Sequence, residues 1–378
     1  MNKAKFSKPL VSVIVPANNA ESYIQQAIES ACFQTYKNIE ILVVDDGSHD
    51  RTAEIVHAIS LRDCRVRLFQ QAHRGIAAAR NRAISESQGE FIAPLDADDI
   101  WYPRKLEFQM RCMMKAEPCV GLVYAWSVYI DQKGCLIGGF YAFDLPRNVY
   151  ATLIFRNFIG SASVPLIRRS CFEHVGGYTT AHLKHNVQGC EDLDLYLRIA
   201  EKYDFRVAKK FLVGYRQSQN TLSSQHSSMA RAFYLTMLDC KKRRPIIPWV
   251  IFRWSLGRQY FYLQARARSN GQYWKGITLL FQAAIFDPRH FLMRHFYQNL
   301  LISVLKPFKM IMAKDQACKY ENLKLGTVSE QLIIKNIAAS REHQPPKLFD
   351  IYENMYQRRL SYTESLLEKI YKNDNIIW

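Results

Sequence analysis

The first hundred residues alternate short β-branched runs with segments of helical period. Val11-Ser12-Val13-Ile14-Val15 reads as a strand closed by Pro16, and Glu21 to Phe33 sets Ile24, Ala27, Ile28 and Ala31 on one helical face. Ile39 to Val44 predicts a second strand and Thr52 to Ile59 a second helix. Val66 to Phe69, Ile76 to Ser85 and Phe91 to Leu95 continue as strand, helix and strand. Strands that alternate with helices predict an α/β fold with a mostly parallel central sheet flanked by helices. Ligands of such sheets bind outside the carboxyl ends of the strands, so the loops there hold the candidate chemistry.

Farther along, Pro103 to Met114 and Glu191 to Tyr203 have helical spacing, while Gly121 to Ile130 is an apolar run and Ser163 to Ile167 a strand candidate. From about Gln225 the pattern turns helical, basic and aromatic, and past Lys314 it becomes a polar tail with a last helix over Glu364 to Tyr371. This divides the chain into an α/β domain over 1–224, a basic amphipathic helical region over 225–315 and a partly helical tail over 316–378.

Charge sharpens that division. The 378 residues carry 51 Lys+Arg against 34 Asp+Glu, a formal net charge of +17. Between Lys241 and Tyr320 stand fifteen Lys or Arg and two acids, a net of +13, so the rest of the chain holds only +4. A basic segment is attached to a nearly balanced one, and nucleic acid and an anionic membrane surface are its two obvious partners. The nine cysteines are scattered singly with no Cys-x-x-Cys pair, and no apolar leader follows Met1, which predicts a reducing compartment. No Gly-x-Gly-x-x-Gly follows a strand, which argues against a dinucleotide dehydrogenase, and no Gly-x-x-x-x-Gly-Lys-Ser/Thr occurs, which excludes a P-loop NTPase.

The loops carry carboxylates instead. Asp96-x-Asp98 follows the fourth strand, where two carboxylates one residue apart suit a hard divalent cation and a ribose hydroxyl. The competing reading is a turn in which Asp99 caps the next helix. Asp45-Asp46-Gly47-Ser48 follows the second strand and offers a carboxylate to a nucleobase or ribose, although Asp-Gly-Ser is equally an ordinary turn. Glu191-Asp192 opens a helix; a carboxylate there can deprotonate an acceptor hydroxyl or merely complement the helix dipole. Arg198 can pair with Asp194 four residues away. Arg80 or Arg74 can approach a diphosphate or lie on a solvated helix face. Alone, the Tyr215-Arg216 pair carries no reading.

Taken together, these residues resemble glycosyltransferase family 2, nucleotide-diphospho-sugar transferases of the Rossmann-like GT-A fold. The ordered set runs from Val11-Ser12-Val13-Ile14-Val15-Pro16-Ala17-Asn18-Asn19-Ala20-Glu21 through Gln34-Thr35-Tyr36, Glu40 to Ser48, Gly75 with Ala79-Arg80-Asn81, and Leu95 to Asp99. It continues with Gly176-Gly177-Tyr178 and Glu191-Asp192-Leu193-Asp194-Leu195 with Arg198, and spans about residues 8 to 224. The resemblance implies that Pro16, Ala17, Asn18 and Glu21 line the nucleotide pocket, with Asp45, Asp46 and Arg80 beside them. It implies that Asp45 reads the base, usually uracil, that Asp96 contacts ribose or metal, and that Asp98 is the principal ligand of Mg²⁺ or Mn²⁺. Asp192 would be the catalytic base, with Glu191 beside it, in a single displacement that inverts the anomeric centre.

Some positions depart from the family pattern. Asn19 stands where an aromatic residue is common, and His73 where an asparagine often precedes the x-Gly. The Gln-x-x-Arg-Trp signature of processive synthases is missing, and Tyr215-Arg216-Gln217-Ser218 occupies the corresponding loop, with Ser218 where many relatives carry histidine. Transfer of a single sugar, from a UDP-sugar to a glycan or lipid-linked acceptor as in cell-surface polysaccharide synthesis, is the activity implied.

In the basic region, Lys241-Lys242-Arg243-Arg244 precedes Trp249, Phe252, Trp254, Tyr260, Phe261 and Tyr262, interleaved with Arg253 and Arg258. No uncharged stretch reaches the roughly 20 residues that span a bilayer. The region can lie in a membrane interface or pack its aromatics on the catalytic domain. The first option implies a cytoplasmic protein held peripherally on the inner face of the plasma membrane. Nucleic acid ranks behind both, because no nucleic-acid module is visible. Two rivals remain: a non-catalytic nucleotide-sugar or glycan-binding adaptor on the same fold, and a nucleotidyltransferase. The latter would carry a Gly-rich basic loop where Pro16-Ala17-Asn18-Asn19 stands.

Overall fold

The computed structural model describes residues 8–180, 187, 189–217, 226–309 and 348–373. Ser218 and the stretch 310–347 lie outside these described residues.

Strands β1 (Val11–Ala17), β2 (Ile39–Asp46), β3 (Val66–Gln71) and β4 (Phe91–Pro94) alternate with helices α1 (Ile24–Cys32), α2 (Thr52–Ser60) and α3 (Ile76–Glu86). All seven β1 residues are buried, as expected of a parallel strand covered on both faces. The α1 stripe of Ile24, Ala27, Ile28 and Ala31 is buried. The helix begins at Ile24, three residues past the expected start, because Ala20 to Tyr23 form a turn in which the Tyr23 and Ile24 amides donate to the Ala20 carbonyl.

The remaining elements are β5 (Ile100–Trp101), α4 (Lys105–Met114), β6 (Val120–Ile130), β7 (Leu136–Tyr141), α5 (Val149–Phe155), β8 (Leu166–Arg168), α6 (Arg169–Val175), α7 (Glu191–Ala200) and β9 (Asp204–Arg216). The nine-stranded sheet runs β3-β2-β1-β4-β8-β6-β9-β5, with β7 beside β6. The β3-β2-β1-β4 half is wholly parallel. Beyond it β8 runs antiparallel to both β4 and β6, whereas β6 and β9 are parallel. The expected Ser163–Ile167 strand is shorter and shifted, since Ser161 and Ser163 turn their hydroxyls onto Asp99.

After β9 the chain becomes helical: α8 (His226–Arg243), α9 (Trp249–Ser269), α10 (Tyr273–Phe286), a 3-10 turn at Pro288–Leu292, α11 (Arg294–Lys309) and α12 (Leu348–Asn373). These helices pack on the α/β part. The Arg243 guanidinium donates to Glu201 of the α7 end (3.0 Å) and reaches Asp194 at 3.5 Å. Ser255 Oγ donates to the Ile154 carbonyl (2.5 Å), and Arg258 donates to the Phe155 carbonyl (3.0 Å). Helix α12 extends well beyond the expected Glu364–Tyr371. It places Tyr356 against Phe155 of α5, ring centroids 5.7 Å apart, and Arg359 in a buried pair with Asp287.

Candidate active site

The carboxyl ends of β1, β2 and β4 lie side by side, because β1 pairs in register with both β2 and β4. The loop after β1 is laced to the loop after β2. The Asn18 amide donates to the Asp46 carbonyl (2.7 Å), the Asn19 backbone N–H to Ser48 Oγ (2.9 Å), and the Arg51 N–H to Glu21 Oε2 (3.1 Å). Gly47 lets the loop after β3 approach in turn: its φ is +71°, and a Cβ would stand 2.9 Å from the His73 backbone nitrogen.

Asp45 and Asp46 have different tasks. Asp45 accepts from the Ser48 amide and hydroxyl and from Gln70 Nε2 (3.3 Å). Asp46 accepts from Gln71 Nε2 (2.7 Å), the Arg74 amide (2.8 Å) and the Gly75 amide (2.7 Å). With both oxygens engaged, the Asp46 carboxylate pins the turn that starts α3.

Beyond β4, Asp96, Asp98 and Asp99 occupy three distinct environments. The Asp96 amide donates to Ser163 Oγ, and its carboxylate accepts from Arg80 Nη2 at 2.6 Å. Burial and the neighbouring Asp96 charge push the Asp98 carboxyl up to about 6. Asp99 does not cap a helix. It is fully buried and accepts from Ser161 Oγ (2.7 Å), Ser163 Oγ (2.6 Å) and the Arg216 amide (2.9 Å). Arg216, 1% exposed, clamps the loop from the other side. Its Nε donates to the Asp98 carbonyl at 2.6 Å, and its Nη1 to the Asp131 and Gln132 carbonyls. The Tyr215-Arg216 pair thus acquires a purpose that its sequence neighbours do not signal.

Helix α7 delivers the second acidic pair. It starts after Gly189 (φ +114°) and Cys190 (φ +61°), a left-handed conformation rare for a residue with a side chain. The Asp192 carboxylate accepts from its neighbour's amide, Leu193 (2.8 Å), and from Asn157 Nδ2 (3.2 Å). Burial, reinforced by the Glu191 charge, pushes the Asp192 carboxyl up to about 7. The expected Arg198–Asp194 pair forms at 2.8 Å. Arg80 of α3, also 1% exposed, joins the two acidic clusters by donating to Glu191 Oε1 (3.1 Å) as well as to Asp96. Its guanidinium is committed to carboxylates rather than presented on a solvated helix face. Asn157, Ser161, Ser163 and Arg216 complete the site, and sequence reading had not singled out the first three.

Asp96, Glu191, Asp192 and Arg80 line a cleft of about 940 Å³. Its opposite wall is built by α8, α9 and α11, including Phe233, Tyr262, Arg266 and Asn299. Pro16, Ala17, Asn18, Glu21, Asp45 and Asp46 lie at the neighbouring strand ends, outside the lining of this cleft. Among the described residues no group of three or more His, Cys, Asp or Glu side chains could hold a metal ion.

Residues 12–170 match the model of glycosyl transferase family 2. An uncharacterized glycosyltransferase of Rickettsia typhi is 42% identical over 125 residues, covering 33% of this chain and 38% of the relative. The chondroitin synthase of Pasteurella multocida is 27% identical over 203 residues, covering 53% of this chain and 20% of the synthase. The matches thus span well under half the length of these curated relatives. Among solved structures, S. aureus TarS 1-349 in complex with UDP superposes with a TM-score of 0.50 at 15% identity, over 80% of this chain and 92% of that one. The mixed sheet, its parallel half and the flanking helices have the GT-A glycosyltransferase arrangement. Residues 12–170 form a glycosyl transferase family 2 domain, to which the chain adds its α7–β9 segment and the helices that close the cleft.

Proposed function

We propose that the protein is an inverting, metal-dependent glycosyltransferase that moves one sugar from a UDP-sugar to an acceptor hydroxyl. The observation that carries this reading is the convergence of Asp96, just past β4, with Glu191 and Asp192 of α7 on one cleft, with Asp98 two residues from Asp96. The UDP bound to S. aureus TarS and the chondroitin synthase of Pasteurella multocida support the choice of donor and of a glycan acceptor. The same supports weigh against the adaptor reading, as does a carboxylate held near neutrality beside the cleft.

In this reading Asp98, with Asp96, would hold a divalent cation. Two carboxylates one residue apart, one raised by burial and by the other's charge, fit such an ion, and Mg²⁺ or Mn²⁺ is commonly completed by substrate phosphates. When bound, the cation supplies Lewis-acid stabilisation to the departing diphosphate. Asp192 takes the proton of the acceptor hydroxyl as that oxygen bonds to the anomeric carbon, whose bond to the diphosphate oxygen breaks, and UDP leaves. The Leu193 amide and Asn157 orient the Asp192 carboxylate for this step. Arg80 keeps Glu191 and Asp96 in place on either side of it. Screening the full chain against a panel of sugar nucleotides, with and without Mn²⁺, tests the reading. Metal-dependent turnover lost in Asp98→Asn and in Asp192→Asn is the expected result; UDP binding indifferent to Mn²⁺, with no donor hydrolysed, restores the adaptor.

The reading includes a peripheral membrane contact that would bring a lipid-linked acceptor to the cleft. No helix among the described residues is long and apolar enough to cross a membrane. The outer faces of α10, the 3-10 turn and α11 expose Trp274 (78%), Ile285, Leu292 (87%), Tyr297 and Leu301, with Lys275, Arg289 and Arg294 on the same elements. Such a mixture of aromatic, aliphatic and basic side chains suits an anionic interface. Co-sedimentation with anionic vesicles should fall on charge-reversing Lys275, Arg289 and Arg294 together; unchanged sedimentation refutes the contact.

A further inference from the structure

The cleft has two chemically opposite halves. Its acidic lining residues, Asp96, Glu191 and Asp192, all stand at the β4 and α7 ends, where Arg80 offsets them. The other half is cationic and aromatic. On α9, Arg258, Tyr262 and Arg266 recur every four residues, so they form one stripe along the helix face, and all three line the cleft. Arg156, just past α5, lines it from the α/β side and lies over the Phe143 ring at 4.2 Å.

Among the described residues no carboxylate forms an ion pair with Arg156 or Arg266. Both arginines act electrostatically on the half-buried Tyr129 hydroxyl, which places them around the same patch of wall. Among the described residues, two further polar groups that line the cleft lack partners. Gln264 is 1% exposed with neither amide atom hydrogen-bonded, and Arg258 Nε is likewise buried and unpaired among the described residues. Buried polar groups are ordinarily satisfied, so unpaired ones lining a cavity mark where a polar ligand belongs. Tyr129, Tyr141 and Tyr262 add flat apolar faces suited to sugar rings.

We propose that the helical wall of the cleft is the acceptor subsite and takes an acceptor bearing an anionic group, a phosphate or a carboxylate, on Arg156 and Arg266. Guanidinium forks suit both anions through paired N–H donors. That the bound molecule is the acceptor rests on the glycosyltransferase reading above; the anion preference does not. The basic region therefore has an inward-facing use distinct from its outer surface.

The test reads binding directly, without turnover. Saturation-transfer NMR on the full chain would compare glucose 6-phosphate, glucuronate and neutral glucose, and calorimetry would follow UDP with Mn²⁺. At least one anionic sugar should bind about tenfold more tightly than glucose. Which of the two does so separates phosphate from carboxylate. The Arg156→Gln/Arg266→Gln variant should abolish the preference, whereas Arg156→Lys/Arg266→Lys should retain part of it, with UDP affinity unchanged in both. Equal binding of charged and neutral sugars, no binding of either anion, or a preference that survives the glutamine variant would overturn the anion subsite. Loss of UDP affinity in the same variant would overturn its assignment to the acceptor, moving these arginines to the donor. Absence of UDP binding by the unaltered chain, with the anion preference intact, would instead strike the glycosyltransferase reading.

Discussion

Arg80 on α3 donates to Glu191 on α7 at 3.1 Å, joining residues 111 positions apart in the chain. With its second bond to Asp96 at 2.6 Å, one buried guanidinium holds the carboxylates that follow β4 and open α7 in a fixed relation. Removing it leaves two partly buried negative charges unpaired, a change that typically costs about 3–5 kcal/mol. Arg80→Gln should therefore unfold several degrees lower and turn over at least about tenfold more slowly, with Arg80→Lys intermediate. Equal thermal midpoints and rates in all three would show that the bridge is dispensable.

The pH dependence follows from the Asp192 carboxyl, raised to about 7 by burial and by Glu191. Only its ionised form accepts a proton, so turnover should rise with pH and reach half its maximum near pH 7. Arg80 favours the ionised form, so Arg80→Gln should move that acid limb to higher pH. A rate independent of pH between 5 and 8 would remove Asp192 from the role of base.

Asn157 offers a finer test, because it touches Asp192 at 3.2 Å without being a candidate base itself. Hydrogen bonds to charged groups contribute about 1.5–3 kcal/mol, so Asn157→Ala should lower turnover about tenfold or more. Donor affinity should stay constant. A raised donor Kd with unchanged turnover would assign Asn157 to the donor pocket.

Gly47→Ala should destabilise the fold by about 1–3 kcal/mol, since the residue adopts φ +71° and its new Cβ would press on the His73 backbone. Thermal unfolding of the variant measures this, and an unchanged midpoint would mean the loop yields freely.

The last helix makes a prediction that composition alone opposes. Arg359 on α12 pairs with the buried Asp287 through two bonds, 2.5 and 3.0 Å. Arg359→Ala strands that carboxylate and should cost about 3–5 kcal/mol by denaturant titration, whereas the joint replacement of Arg359 and Asp287 by apolar residues should recover most of it. A solvent-exposed tail would show neither effect.

Much of the α/β half was legible because its signals are local. A strand buried on both faces must be continuously apolar, and a covered helix must repeat its apolar residues at helical spacing, so β1 and α1 declare themselves in a few residues. Strand β9 did not, since Arg206, Lys209 and Lys210 interrupt it and it owes its conformation to pairing with β6, about eighty residues earlier. Helix α12 was half-read for the same reason: among the described residues its buried apolar positions are Tyr356, Leu360 and Leu367, and Tyr356 is covered by Phe155 of α5 and Arg258 of α9.

The sequence by itself determined which residue types stand at the strand ends and the α7 terminus, because backbone periodicity places a loop wherever an apolar run stops. It also determined that the surplus charge lies outside those motifs. The tertiary structure alone decided what each acid does, since that depends on partners far away in the chain. Asp46 and Asp99 are consumed in holding turns, Asp98 and Asp192 are pushed toward protonation by burial and by neighbouring carboxylates, and Arg80 is drawn between two clusters. It likewise decided that the basic helices face inward as well as outward, for only packing turns Arg258 and Arg266 of α9 onto the cleft.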